Sequence, residues 1–203
     1  MKKKLVSLLI ILIAFMNGLN SHAQKLDAGP EQLQEFKDLT KRRVEDFQNY
    51  LQQVADKSLP ERLRRKSLQL AKDLFDTTAI DKNGKRYLKM PIVQISRRDG
   101  SIVGVPINTY LERLYDLKQF PKVEITAYDV SHCSDYQKGK DGNYHATAFY
   151  YQDFKGYDAS GTAIYTSRDR KAIQTMAEPN AKGEFTLYFG NITIVETLPN
   201  LGK

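Results

Sequence analysis

The chain has 203 residues, 41% of them apolar and 27% charged, with a formal net charge of +7. That length and apolar content suit one domain with a real hydrophobic core, and they exclude a disordered chain. A single cysteine, Cys133, excludes an internal disulfide, and as a small apolar residue it belongs in the core.

The N-terminus reads as an export signal. Met1-Lys2-Lys3-Lys4 is a charged start, residues 5–15 are apolar apart from Ser7, and Ser21-His22-Ala23 supplies small residues just ahead of a cut before Gln24. The apolar run is too short to span a membrane, and no cysteine near the cut would take a lipid. These features predict an exported protein, periplasmic or extracellular, with no stable membrane anchor. Loss of residues 1–23 leaves 28 basic against 24 acidic side chains, a net charge of +4. That excess is modest, so no nucleic-acid partner is expected.

Residues 30–55 have helical periodicity, with Leu33, Phe36, Val44, Phe47, Leu51 and Val54 on one face. Lys37, Lys41, Arg42, Glu45 and Gln52 occupy the other, and Thr40 interrupts the apolar stripe. The pattern predicts one amphipathic helix lying on the core. Ser58-Leu59-Pro60-Glu61 matches a capping box, which starts a second helix with Leu63, Leu70, Ala71, Leu74 and Phe75 inward. Arg62, Arg64, Arg65 and Lys66 read as its solvated face. Asp81-Lys82-Asn83-Gly84 is a turn; its Gly is misplaced for a calcium loop. Residues 89–96 read as a strand that Pro91 pushes to a sheet edge, followed by an Arg98-Asp99-Gly100 turn and a short strand at 101–105. Pro106 opens a third helix with Ile107, Tyr110, Leu111, Leu114 and Leu117 as its stripe.

Four long strands follow, at 122–134, 144–155, 163–177 and 183–196, separated by Gly, Asn, Asp and Pro turns. Straight, such strands would span roughly 40–50 Å, about twice the usual length, so the sheet must bend. Phe185, Leu187 and Phe189 alternate in one phase, and Ile192 and Ile194 in the other. A bulge at Gly190-Asn191 would restore all five to one face. Val130 is similarly out of phase with Val123, Ile125 and Ala127. The predicted fold class is α+β: a curved antiparallel sheet of four long strands plus a short hairpin, wrapped around helices as a cone.

Three stretches carry a family likeness. Asn108-Thr109-Tyr110-Leu111-Glu112-Arg113-Leu114 runs into Val123-Glu124-Ile125. Asp141-Gly142-Asn143-Tyr144 leads to Gln152-Asp153-Phe154-Lys155-Gly156-Tyr157, and the last stretch is Gly190-Asn191-Ile192-Thr193-Ile194-Val195-Glu196. In order and texture they resemble the secreted bacterial branch of the nuclear transport factor two-like superfamily, with its cystatin-like cone. The resemblance implies a pocket between sheet and helices. It leaves isomerase or dehydratase activity and non-catalytic binding both open.

His132, Cys133, Asp135 and His145 are metal-ligand types, but their spacing matches no zinc pattern, and neighbouring strand residues face opposite ways. No metal or cofactor is called for. A Cys133–His145 nucleophilic pair would need both side chains on one face. Other polar groups on the strands are Tyr128, Asp129, Tyr144, Asp153, Arg168 and Asp169; Asp153 and Asp169, near arginines, read as solvated ion pairs. Both strand faces carry aromatics, so the sequence leaves the inward face open. The functional expectation is an exported non-catalytic module. It binds a small apolar ligand in the cone through Tyr128, His132, Tyr144, His145 and Tyr150, or a protein partner, such as a second copy, through the sheet. The alternative is an isomerase or dehydratase pairing a pocket carboxylate or His with Tyr.

Overall fold

A computed structural model describes residues 27–80, 86–180 and 182–198. The export signal and the Asp81–Gly84 turn lie outside the described residues. Among the described residues, three helices, α1 (Pro30–Ala55), α2 (Glu61–Asp73) and α3 (Ile107–Tyr115), accompany nine strands. These are β1 (Thr78–Ile80), β2 (Arg86–Leu88), β3 (Ile92–Ser96), β4 (Ile102–Pro106), β5 (Lys122–Cys133), β6 (Gln137–Lys138), β7 (Tyr144–Tyr157), β8 (Ala163–Pro179) and β9 (Phe185–Leu198). Among the described residues, β1 and β2 pair only with each other, and the rest form one open sheet in the order β4-β3-β9-β8-β7-β5, with β6 beside β7. The architecture is the expected α+β one, a curved sheet wrapped around helices.

The sheet is mixed rather than wholly antiparallel, because β3 runs parallel to β9 at Val93 and Ile192. This also corrects the placement of β3, which lies between β4 and β9 instead of at an edge. Pro91 is compatible with that position because it precedes the first strand residue and removes no ladder donor.

The bend comes from irregular pairing. On β9, Gly190 and Asn191 stand against Gln174 alone, so Phe189 pairs with Thr175 and Ile192 with Ile173. The predicted bulge is present, and Leu187, Phe189 and Ile192 are all buried on one face. A second irregularity at Val195 shifts the phase again and brings Thr197 inward opposite Asp169. On β5, residues 129–131 stand against Tyr150 alone, which bends the strand yet leaves Val123, Ile125 and Cys133 facing inward.

Helix α1 lies along the inner face of the sheet, with Thr40 beside Tyr136 and Gln48 beside Gln152. Its stripe is continuous, since Thr40 is fully buried beside Phe36, Val44 and Phe47. The Thr40 hydroxyl donates to Tyr136 Oη (2.6 Å), which donates to Thr175 Oγ1 (2.9 Å), which donates to the Ala146 carbonyl (3.2 Å). Every proton in that chain has an acceptor, so the polar atoms cost little on burial. Phe47, Phe75 and Phe189 meet edge-on with centroids 5.2–6.1 Å apart, joining α1, the end of α2 and β9.

The start of α2 differs from the capping-box expectation. The helix begins at Glu61, and the Ser58 hydroxyl donates to Asp56 Oδ1 (2.7 Å) in a local turn, while Glu61 pairs with Arg65. Leu63 is exposed; Ser67, Leu68 and Ala71 form the buried face. Arg64 is no solvated charge. Its guanidinium donates to the Val54 carbonyl (2.9 and 3.0 Å) and the Tyr115 carbonyl (2.5 Å), and lies 4.4 Å over the Tyr115 ring. A cation thus sits at the negative C-terminal ends of α1 and α3, where unpaired carbonyls collect. Replacing Arg64 with Ala orphans both carbonyls and should cost about 2–3 kcal/mol, read as a lower denaturation midpoint with an unchanged slope. An unchanged midpoint would refute the clamp.

Candidate functional site

The strands β7 and β8 define two faces by alternation. Tyr144, Ala146, Ala148, Tyr150 and Gln152 of β7 are buried, and their partners on β8 are Ala177, Thr175, Ile173, Lys171 and Asp169. The inward phase of β8 is therefore apolar towards its C-terminal end and charged towards the mouth of the cone. There the sheet, the β3–β4 hairpin and α3 enclose a cavity of about 1060 Å³. Val105, Leu114, Phe120, Phe154 and Tyr165 supply its apolar walls. Phe120 lies flat against β7, because Gly156 has no Cβ; one would sit 2.5 Å from the ring.

The polar floor of this cavity is Asp169 and Lys171, each only 4% exposed. Asp169 Oδ1 accepts from Ser96 Oγ (2.8 Å) and Thr197 Oγ1 (3.0 Å), so its carboxylate is anchored from β3 and β9. Lys171 is poorly satisfied: its ammonium donates to the Gln94 carbonyl at 3.5 Å, and no carboxylate lies within ion-pair distance of it among the described residues. Burial pushes its pKa down to about 8, against a smaller upward pull from Asp169. Tyr150 stands directly across from Lys171, and Gln152 across from Asp169. Tyr110 of α3 completes the group. Desolvation pushes both tyrosine hydroxyls well above their usual pKa, so they stay protonated. Behind them, Gln152 Nε2 donates to Gln48 Oε1 (2.8 Å), while the buried Gln48 Nε2 has no partner.

Of the five ligand residues expected from sequence, none lines this cavity; Tyr150 comes nearest, buried directly across from Lys171. Tyr144 is also inward, at the filled end, where its hydroxyl accepts from the Ala28 amide (2.8 Å). Tyr128, His132 and His145 lie on the outer face. Tyr128 stacks on Tyr151 (5.5 Å), His132 packs on Phe149 (5.7 Å), and His145 meets the Asp141 carboxylate at 3.0 Å. Asp153 is ion-paired outside, accepting two bonds from Arg168 (2.7 and 2.8 Å), but Asp169 is buried, contrary to its reading as a solvated partner. The Asp129 side chain lies outside the described residues.

A larger hollow of about 1260 Å³ borders the outer face and includes His132, His145, Lys37, Asp135 and Asp141. Of these charges Lys37 pairs with Asp135 and His145 with Asp141, and all but Lys37 are exposed, so little desolvation sharpens their chemistry. Cys133 faces inward, away from His132 and His145, and burial pushes its thiol up, away from the reactive thiolate. Among the described residues no group of three His, Cys, Asp or Glu could hold a metal ion.

Sequence reasoning passed over Lys171, Tyr110, Gln152 and Ser96. The usable signal was phase: Asp169 and Lys171 alternate with Arg168 and Arg170 and share parity with Ile173, Thr175 and Ala177. Lys171 should be a net burden on the fold. Its folded pKa is depressed, so the burden is full below about pH 8 and fades as pH rises towards 10.5, the ordinary lysine value. Lys171→Met should therefore raise stability by up to about 3 kcal/mol at pH 7, with the gain shrinking above pH 8. Thermal melts of both proteins from pH 6 to about 10 read this; a destabilised variant would contradict it.

No family model matches the chain, and no curated protein matches it. Among solved structures, ActVI-ORFA from Streptomyces coelicolor aligns with 78% of this chain and 98% of its own, at 12% identity and a TM-score of 0.40. That likeness is distant and bears on neither the site nor the activity.

Proposed function

We propose that the protein is an exported binding module whose cone cavity holds a small ligand with an apolar body and a polar head. The observation that carries this reading is the under-satisfied Lys171 beside Asp169 on the floor of a cavity of about 1060 Å³. Aromatic and aliphatic walls with a few convergent polar groups are what small-molecule sites use for affinity and orientation. Arg97, Arg98 and Arg113 at the rim outnumber Asp99, so an electron-rich head group is favoured on approach.

An acid–base enzyme of the isomerase or dehydratase type is the second reading. Asp169 near Tyr110 and Tyr150 in a desolvated cavity favours it. A homodimer through the sheet has less support. Arg168 and Arg170 already cover Tyr128 and Phe149 on the outer face, at 5.8 and 5.3 Å from the ring centres.

Naphthalenemethanol, an apolar body with one hydroxyl, probes the cavity directly. Calorimetric titration should show saturable binding, weakened at least ~10-fold by Ser167→Phe, which fills the space beside Tyr165. Equal binding by both proteins would place the probe elsewhere and remove the ligand-site reading. Export has its own test. Protein recovered from the periplasm or medium should begin at Gln24 on terminal sequencing, and a chain retaining Met1 would refute cleavage.

A further inference from the structure

Buried ammonium groups are normally paired, because an unpaired charge out of water is expensive. Lys171 departs from that rule, with one long contact to a carbonyl and open cavity beside it. A methionine would fill the same volume without the charge, so packing does not explain the amine. Asp169 is a fixed carboxylate two residues away on the same strand face, Tyr150 faces Lys171 across the strand pair, and Tyr110 closes the group from α3.

We propose that Lys171 captures an aldehyde or ketone with an apolar body as an imine, a covalent site that rests on reading the cavity as a ligand site. The neutral amine's lone pair attacks the carbonyl carbon, and one N–H proton passes to the oxygen to give a carbinolamine. The C–O bond then breaks, the second N–H proton leaves with the hydroxyl as water, and a C=N bond remains. No oxidant, reductant or further reactant enters, and hydrolysis reverses the step. Tyr110 stays protonated and serves as a donor to the departing oxygen, while Asp169 balances the charge of a protonated imine. The amine is available near neutral pH because burial brings its pKa to about 8, whereas exposed lysines remain protonated.

Naphthaldehyde with cyanoborohydride tests the step, since reduction fixes any imine as a naphthylmethyl amine that peptide mass spectrometry can locate. At pH 8, Lys171 should be labelled at least ~10-fold faster than exposed lysines, and excess naphthalenemethanol should protect it. In Lys171→Met, only the slow surface labelling should remain. Site mapping in the wild-type protein decides the matter even if that variant folds poorly. If naphthalenemethanol binds but Lys171 is labelled no faster than surface lysines, the imine is overturned and the binding module stands. If the alcohol fails to bind and Lys171 is unlabelled, both fall.

Discussion

The fold depends on keeping one continuous apolar face turned inward along strands too long to stay flat. The strands β8 and β9, of 17 and 14 residues, would run far past the helices they cover if straight. Bending them threatens register, because a slip of one residue sends every side chain to the other face. The extra residues at Gly190-Asn191 and at Val195 resolve the conflict by absorbing the bend and resetting the phase in one place. Without the second reset Thr197 would point outward, and Asp169 would lose one of its two hydroxyl donors.

The same inward face is treated differently at the two ends of the cone. At the narrow end, the Thr40–Tyr136–Thr175 relay satisfies each buried hydroxyl in turn, and aromatic rings from α1, β7 and β9 close the space. At the mouth, Lys171 is left under-bonded beside open volume, and Gln48 Nε2, buried on α1, has no hydrogen-bond partner. A fold that satisfies its polar atoms so fully at one end leaves buried donors unmatched at the other. Strain of this kind collects where a protein does something besides fold.

Much of the architecture was legible because it is written in local periodicity. The α1 stripe, the four long strands and the Gly190 bulge all follow from spacing within one element. What escaped depends on contacts far apart in sequence. Thr40 looked like an interruption because its partner, Tyr136, is 96 residues away. Arg64 looked solvated because the carbonyls it binds belong to two other helices. The parallel β3–β9 contact left no trace in either strand. The site was obscured for a subtler reason: Arg168 and Arg170 surround Asp169, and their outward direction hid the inward parity it shares with Lys171. The histidines misled in the opposite way, since chemically versatile side chains at Tyr128, His132 and His145 happen to occupy the outer phase.

The irregular stretch at residues 129–131 has a consequence beyond curvature. Among the described residues, strand β5 is an edge of the sheet whose outer side faces no partner strand, although Gln52 of α1 accepts from its Ile125 amide (2.6 Å). A straight edge of 12 residues offers a template on which another chain can extend the ladder. Three residues crowded opposite Tyr150 break the regular spacing of donors and acceptors along that rim. The opposite edge, β4, has only five residues and ends in Pro106, which has no amide to offer. Both rims are thereby poor templates for strand addition along a sheet this long.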